Sequence, residues 1–113
     1  MSARQHIVSD KSAELALHWM HENAVAMGKA VEAARLAEHM VKHVLHIQMK
    51  LSDEKTAAGK ERDAYASKEY HDAIVADAKA AGALAVLRSQ KEVQALKIEA
   101  WRTEQANYRA MKI

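Results

Sequence analysis

Along residues 83–113, Leu84, Leu87, Gln94, Ile98, Trp101, Gln105 and Tyr108 recur at a three-four spacing. That period places them on one stripe of a helix. The stretch has no Gly or Pro and is rich in Ala, Leu, Glu, Lys, Gln and Arg, the residues that lose least on entering a helix. The first half of the chain carries the same signal. Leu17, Met20, Ala24, Met27, Val31 and Ala34 hold the spacing, and Ala37, Met40, Val44, Ile47 and Leu51 continue it with the stripe slightly shifted. Between the halves, Ser52-Asp-Glu-Lys-Thr-Ala-Ala-Gly59 interrupts the pattern. Lys60–Ala66 reads as a short helical turn or an ordered loop.

Ser9 or Asp10 is placed to cap the first helix and Ser67 the second, with Glu14 and Glu69 near the positive ends of the two dipoles. Tyr65 and Tyr70 flank the second cap and can staple the chain there. The spacing therefore predicts one domain over 1–113: a flexible arm at 1–9, a helix over 10–51, a linker at 52–66 and a helix over 67–112. Gly28 is the breaker inside the first helix, at a cost of about 1 kcal/mol. A helix of about 40 residues is roughly 60 Å long at 1.5 Å per residue, more than a small globule can wrap. It should pack lengthwise on a partner.

The predicted fold class is all-α, with two long helices in an antiparallel, coiled-coil-like hairpin. Ala78–Ala85 are nearly all small and let a neighbouring helix approach closely. Trp19, Val25, Leu36, Val41, Leu45, Val86, Val93 and Leu96 fall off the main stripes. Each helix thus has more apolar face than one partner covers, and two amphipathic helices alone bury too little to be comfortably stable. The expectation is a homo-oligomeric helical bundle, with Trp19, Met27, Val31, Leu87, Ile98 and Trp101 at its interfaces.

Composition narrows the function. The 113 residues include no Cys, which excludes disulfides, thiolate catalysis and Cys-based metal sites. No apolar run approaches the roughly 18 residues a membrane span needs, and no signal peptide is readable, so no membrane association and a cytoplasmic location are expected. A net charge of +2 does not mark a strongly basic protein, but the charge is uneven. Residues 73–113 carry seven Lys/Arg against four Asp/Glu, and residues 52–72 carry four against six. The excess positive charge on the last helix can steer a polyanion.

Candidate chemistry is sparse. No Gly-rich phosphate loop, nucleophile elbow or carboxylate pair in an enclosing context is present, so the chain is not expected to be an enzyme or to need a cofactor. His39, His43 and His46 share one helix face, and two His at i, i+4 can hold zinc given further ligands and outer-shell support. No closed four-ligand set can be assembled around them, so a polar row without structural metal is expected. His18 and His21, beside Trp19, read as interface polar residues. The densest pattern is the close of the last helix. There Trp101 and Tyr108, with Arg88, Lys91, Arg102 and Arg109, could form a surface on which bases stack and phosphates are neutralised. The alternative is that the aromatic stripe is core or oligomer seam.

Three collinear segments carry a family resemblance: Glu14-Leu-Ala-Leu-His-Trp-Met-His-Glu-Asn-Ala24, Arg62-Asp-Ala-Tyr-Ala-Ser-Lys-Glu-Tyr-His71 and Leu96-Lys-Ile-Glu-Ala-Trp-Arg-Thr-Glu-Gln-Ala-Asn-Tyr-Arg109. They resemble a group of small all-helical bacteriophage and prophage proteins, largely uncharacterised, from early, DNA-metabolism regions. Members close on a segment like IE-x-WR-[ST]-x-x-A-N-x-R, and often have Pro where Lys68 stands here. The layout is also similar to that of the recombination mediator of T-even phages. The resemblance implies a non-enzymatic, oligomeric accessory protein of recombination or replication whose partners are single-stranded DNA and a recombination protein. Trp101, Arg102, Asn107 and Arg109 match the closing motif. The alternative is an interaction or scaffold module that binds only proteins, such as a virion component or a host-directed inhibitor.

Overall fold

The computed structural model describes residues 8–111. Among these the chain is all-helical: α1 (Asp10–Glu22), α2 (Ala24–Leu51), α3 (Ala57–Tyr65) and α4 (Lys68–Met111), with no strand. Residues 1–7 of the expected arm, and Lys112 at the expected end of the last helix, lie outside the described residues. Val8 is buried, and Ser9 is the N-cap of α1, its hydroxyl accepting from the Ser12 N–H at 3.1 Å.

The helix expected over 10–51 is two helices, and the interruption falls at Asn23 rather than at Gly28. The Asn23 amide Nδ2 donates to the Trp19 carbonyl at 2.9 Å, the same oxygen that accepts the Asn23 backbone N–H at 3.0 Å. An Asn side chain competing for a helix carbonyl loosens the turn, and Asn23 sits at φ −103°, ψ 4°. Backbone pairing resumes at once, Met27 N–H donating to the Asn23 carbonyl at 2.9 Å. Gly28 lies inside α2 in open space.

The linker holds a helix of its own. Thr56 caps α3 by accepting from the Gly59 N–H at 3.0 Å. Gly59 is thus part of a helix rather than a breaker. A Cβ there would lie 2.9 Å from Glu54 Cβ, so glycine lets the Ser52–Lys55 loop lie against the first turn. The Ser52 hydroxyl ties that loop down by donating to Asp63 Oδ2 at 2.6 Å. Ser67 caps α4 as the sequence predicts: its Oγ accepts from the Tyr70 N–H at 3.2 Å and donates to the Ala64 carbonyl at 2.6 Å. Tyr65 and Tyr70 meet edge to face across this cap, with ring centres 5.1 Å apart.

The chain divides into two compact units, residues 1–27 with 86–113 and residues 28–85. In the first, Val8, Ala13 and Ala16 are buried, and Leu87, Gln94, Ile98, Trp101, Gln105 and Tyr108 of α4 are half-buried. In the second, Ala64, Gly59 and Leu84 are buried, while Ala30, Val31, Ala34, Ala37, Val41 and Val44 of α2 are half-buried. The α4 stripe is the one its sequence predicts.

The α1–α2 stripe matches only in part. Met20, Met27, Val31, Ala34, Ala37 and Val44 are covered as expected, but Leu17, Ala24, Met40, Ile47 and Leu51 are exposed, and the covered row takes in Ala13, Ala16, Asn23, Ala30, Val41 and Gln48 as well. Small residues hold many of the covered positions and larger ones flank them. Among the described residues no large side chain is fully buried.

Candidate interaction surface

The unit of residues 1–27 with 86–113 carries most of the positions singled out in the sequence. A hydrogen bond ties its two segments together: the Trp101 indole Nε1–H donates to Asp10 Oδ1 at 2.7 Å. Asp10 is the first residue of α1, where a carboxylate is favoured by the helix dipole. Trp101 is half-buried and so is Tyr108, one heptad further along the same stripe. Both aromatics therefore have a packing role here, and the Trp101 N–H is already satisfied.

Arg88, Arg102 and Arg109 are all exposed and occupy one position of the heptad that runs down α4, with Ala95 completing the row. At 1.5 Å per residue, Arg102 and Arg109 are offset by about 10 Å along the axis and Arg88 lies about 21 Å from Arg102. Among the described residues the ion pairs are His18–Glu22 and Lys68–Asp72, so none of these arginines is paired with a described carboxylate. An open concavity of about 550 Å³ has Glu99, Trp101, Arg102, Gln105 and Arg109 in its wall. It combines two guanidinium groups, one aromatic ring and one carboxylate.

Lys91 belongs elsewhere. It takes a position on the covered stripe, between Leu84 and Ile98, yet is itself exposed. It lines a groove of about 300 Å³ with Trp19, Met20, Asn23, Ala24 and Met27. A lysine at such a site can lay its methylene stem on apolar surface and keep its ammonium in water. Arg88 and Lys91 thus sit on different stripes of α4.

Of the expected interface residues, Trp19, Met27, Val31, Leu87, Ile98 and Trp101 are all half-buried within the chain. The large apolar side chains left open are others. Leu15, Leu17, Val25 and Leu36 are exposed on α1 and α2, and Val86, Val93 and Leu96 on α4. His39, His43 and His46 are exposed on α2, and no group of three or more His, Asp or Glu side chains among the described residues could hold a metal ion.

No protein-family model matches this chain, and no curated protein or solved structure does. No helix among the described residues is long and apolar enough to cross a membrane. The surface itself is therefore what a functional reading has to rest on.

Proposed function

We propose that this chain is a self-associating helical accessory protein whose C-terminal arginine row binds single-stranded nucleic acid, in the manner of phage recombination or replication factors. The observation that carries the reading is the row Arg88, Arg102 and Arg109: exposed, in one heptad position, and free of described carboxylate partners. Cations strung along a helix at intervals of one or two heptads track a flexible phosphate chain, and release of its counterions drives binding. The hairpin that we propose is antiparallel. Asp10 meeting Trp101, and Lys91 sharing a groove with Trp19 and Met27, support that order within the first unit. Self-association is supported by the absence of any fully buried large side chain among the described residues beside so many exposed ones.

The test is anisotropy of a labelled oligothymidylate with wild type and the double variant Arg102→Ala/Arg109→Ala. Binding should weaken at every sequence tried, with helicity and assembly size unchanged. Equal affinity of variant and wild type would overturn the assignment. A second reading, in which the chain binds only proteins, is favoured by one feature: the Trp101 N–H is committed to Asp10, which ties the ring into the fold rather than leaving it for a base. Wild type that does not bind DNA at low salt, but forms a defined assembly, would select that reading.

A further inference from the structure

The groove of about 300 Å³ opens where α1 gives way to α2. Trp19 and Met20 line it from the last turn of α1, Asn23 from the interruption, and Ala24 and Met27 from the start of α2, with Lys91 of α4 as the sixth residue. All six belong to the unit of residues 1–27 with 86–113. Its volume lies at the small end of the range of ligand sites, and suits a side chain or two of a partner rather than a whole helix face. Trp19, Ala24 and the two methionines make its surface apolar, and methionine adapts to irregular shapes. Two polar groups in it are uncommitted. Asn23 Nδ2 donates to the Trp19 carbonyl at 2.9 Å, but Asn23 Oδ1 accepts from no described residue. Lys91 is exposed and in no ion pair with a described carboxylate. The sign of charge sets this groove apart. Glu99 shares the concavity of Arg102 and Arg109, and Glu69 and Asp72 line another of about 420 Å³ beside Leu36 and Met40. Here one cation and no carboxylate stand among the described lining residues.

We propose that this groove docks an acidic peptide segment of a partner protein. A bulky apolar side chain of the segment enters among Trp19, Met20 and Met27, a neighbouring carboxylate pairs with Lys91, and a backbone N–H donates to Asn23 Oδ1. A charge-assisted contact beside an apolar pocket selects a ligand that has both features. A nucleic-acid strand fits less well, because a phosphate chain is held by cations repeated along its length and this groove has one. The interruption at Asn23 gains a use on this account: the side chain that loosens the helix also presents an acceptor in the groove. No residue of the arginine row lines it, so the inference stands apart from nucleic-acid binding.

The test is fluorescence anisotropy with three labelled peptides: acidic residues followed by Leu-Phe, lysines followed by Leu-Phe, and acidic residues followed by Ser-Ser. Two variants act at exposed positions that leave the helices intact by circular dichroism. Lys91→Glu reverses the charge, and Ala24→Leu fills the groove. Wild type should bind only the acidic peptide ending in Leu-Phe. Lys91→Glu should weaken that binding about tenfold or more and bind the lysine peptide instead, and Ala24→Leu should weaken it without regard to charge. No binding by wild type, equal binding of the Ser-Ser peptide, or either variant binding as wild type does would overturn the inference. Two further results would assign the groove to another occupant and overturn it equally. Displacement of the peptide by oligothymidylate from the Arg102→Ala/Arg109→Ala protein would mean nucleic acid. A change of molar mass by light scattering in Lys91→Glu would mean a second copy of this chain.

Discussion

Replacing Gly59 with Ala puts opposing effects against each other at one site. Alanine is better than glycine inside a helix by about 1 kcal/mol, which alone would stabilise α3. The added Cβ, however, would sit 2.9 Å from Glu54 Cβ, 3.0 Å from Thr56 Oγ1 and 3.1 Å from Glu54 Cγ. The nearest atom is the root of a side chain, not a flexible end, so the loop backbone must shift. That loop is anchored by Ser52, whose Oγ accepts from the Glu54 N–H at 3.2 Å and donates to Asp63 at 2.6 Å. Overpacking of this kind costs about 1–3 kcal/mol. Displacing Thr56 would also weaken its cap on the Gly59 N–H, worth about 1 kcal/mol. The net expectation is a loss of about 1–3 kcal/mol, read by urea unfolding followed by circular dichroism at fixed protein concentration. A Gly59→Ala protein as stable as wild type would refute the claim that this glycine exists for close approach.

The other glycines give the opposite expectation: a Cβ added at Gly28 or Gly82 would have nothing within 4 Å, so alanine at either should stabilise by about 1 kcal/mol in the same assay. A loss at Gly82 would instead mean that a second helix approaches there. Ser67→Ala should cost about 1 kcal/mol through the lost cap on the Tyr70 N–H, with Ser67→Thr retaining most of it. In a double-mutant cycle, Trp101→Phe and Asp10→Ala should show a coupling of about 0.5–1.5 kcal/mol; strict additivity would mean that their hydrogen bond contributes nothing in solution.

The α4 stripe is legible in the sequence because large or long side chains mark it at Leu84, Leu87, Ile98, Trp101 and Tyr108 without a breaker between. The first half of the chain is harder, since alanine signals helix but says little about which side is covered. Ala13, Ala16 and Ala30 line the inside while Leu17 and Met40 flank it, so following the largest apolar residues finds Met20, Met27, Val31 and Val44 but misses the alanines that complete the covered row. Gly28 has the composition of a weak point, yet an exposed helical glycine keeps its backbone pairing. Asn23 interrupts because its side chain reaches the Trp19 carbonyl, a contact that composition does not announce. Gly59 reads as a breaker because its role, room for Glu54, is a tertiary one. Thr56 is easily passed over as a cap beside the stronger-looking Ser52-Asp53 pair. The arginine row is within reach of the sequence, since Arg88, Arg102 and Arg109 differ by whole heptads. Grouping them with nearby Lys91 by proximity in the chain hides that register.

The salt dependence of oligothymidylate binding by the intact protein tests the central claim most directly. Each phosphate neutralised on a single strand contributes about −0.7 to the slope of log affinity against log salt concentration. Arg88, Arg102 and Arg109 acting together should therefore give a slope of about −2 per chain engaged, with binding strongest at low salt. Absence of binding at low salt, or an affinity that salt does not change, would contradict the account.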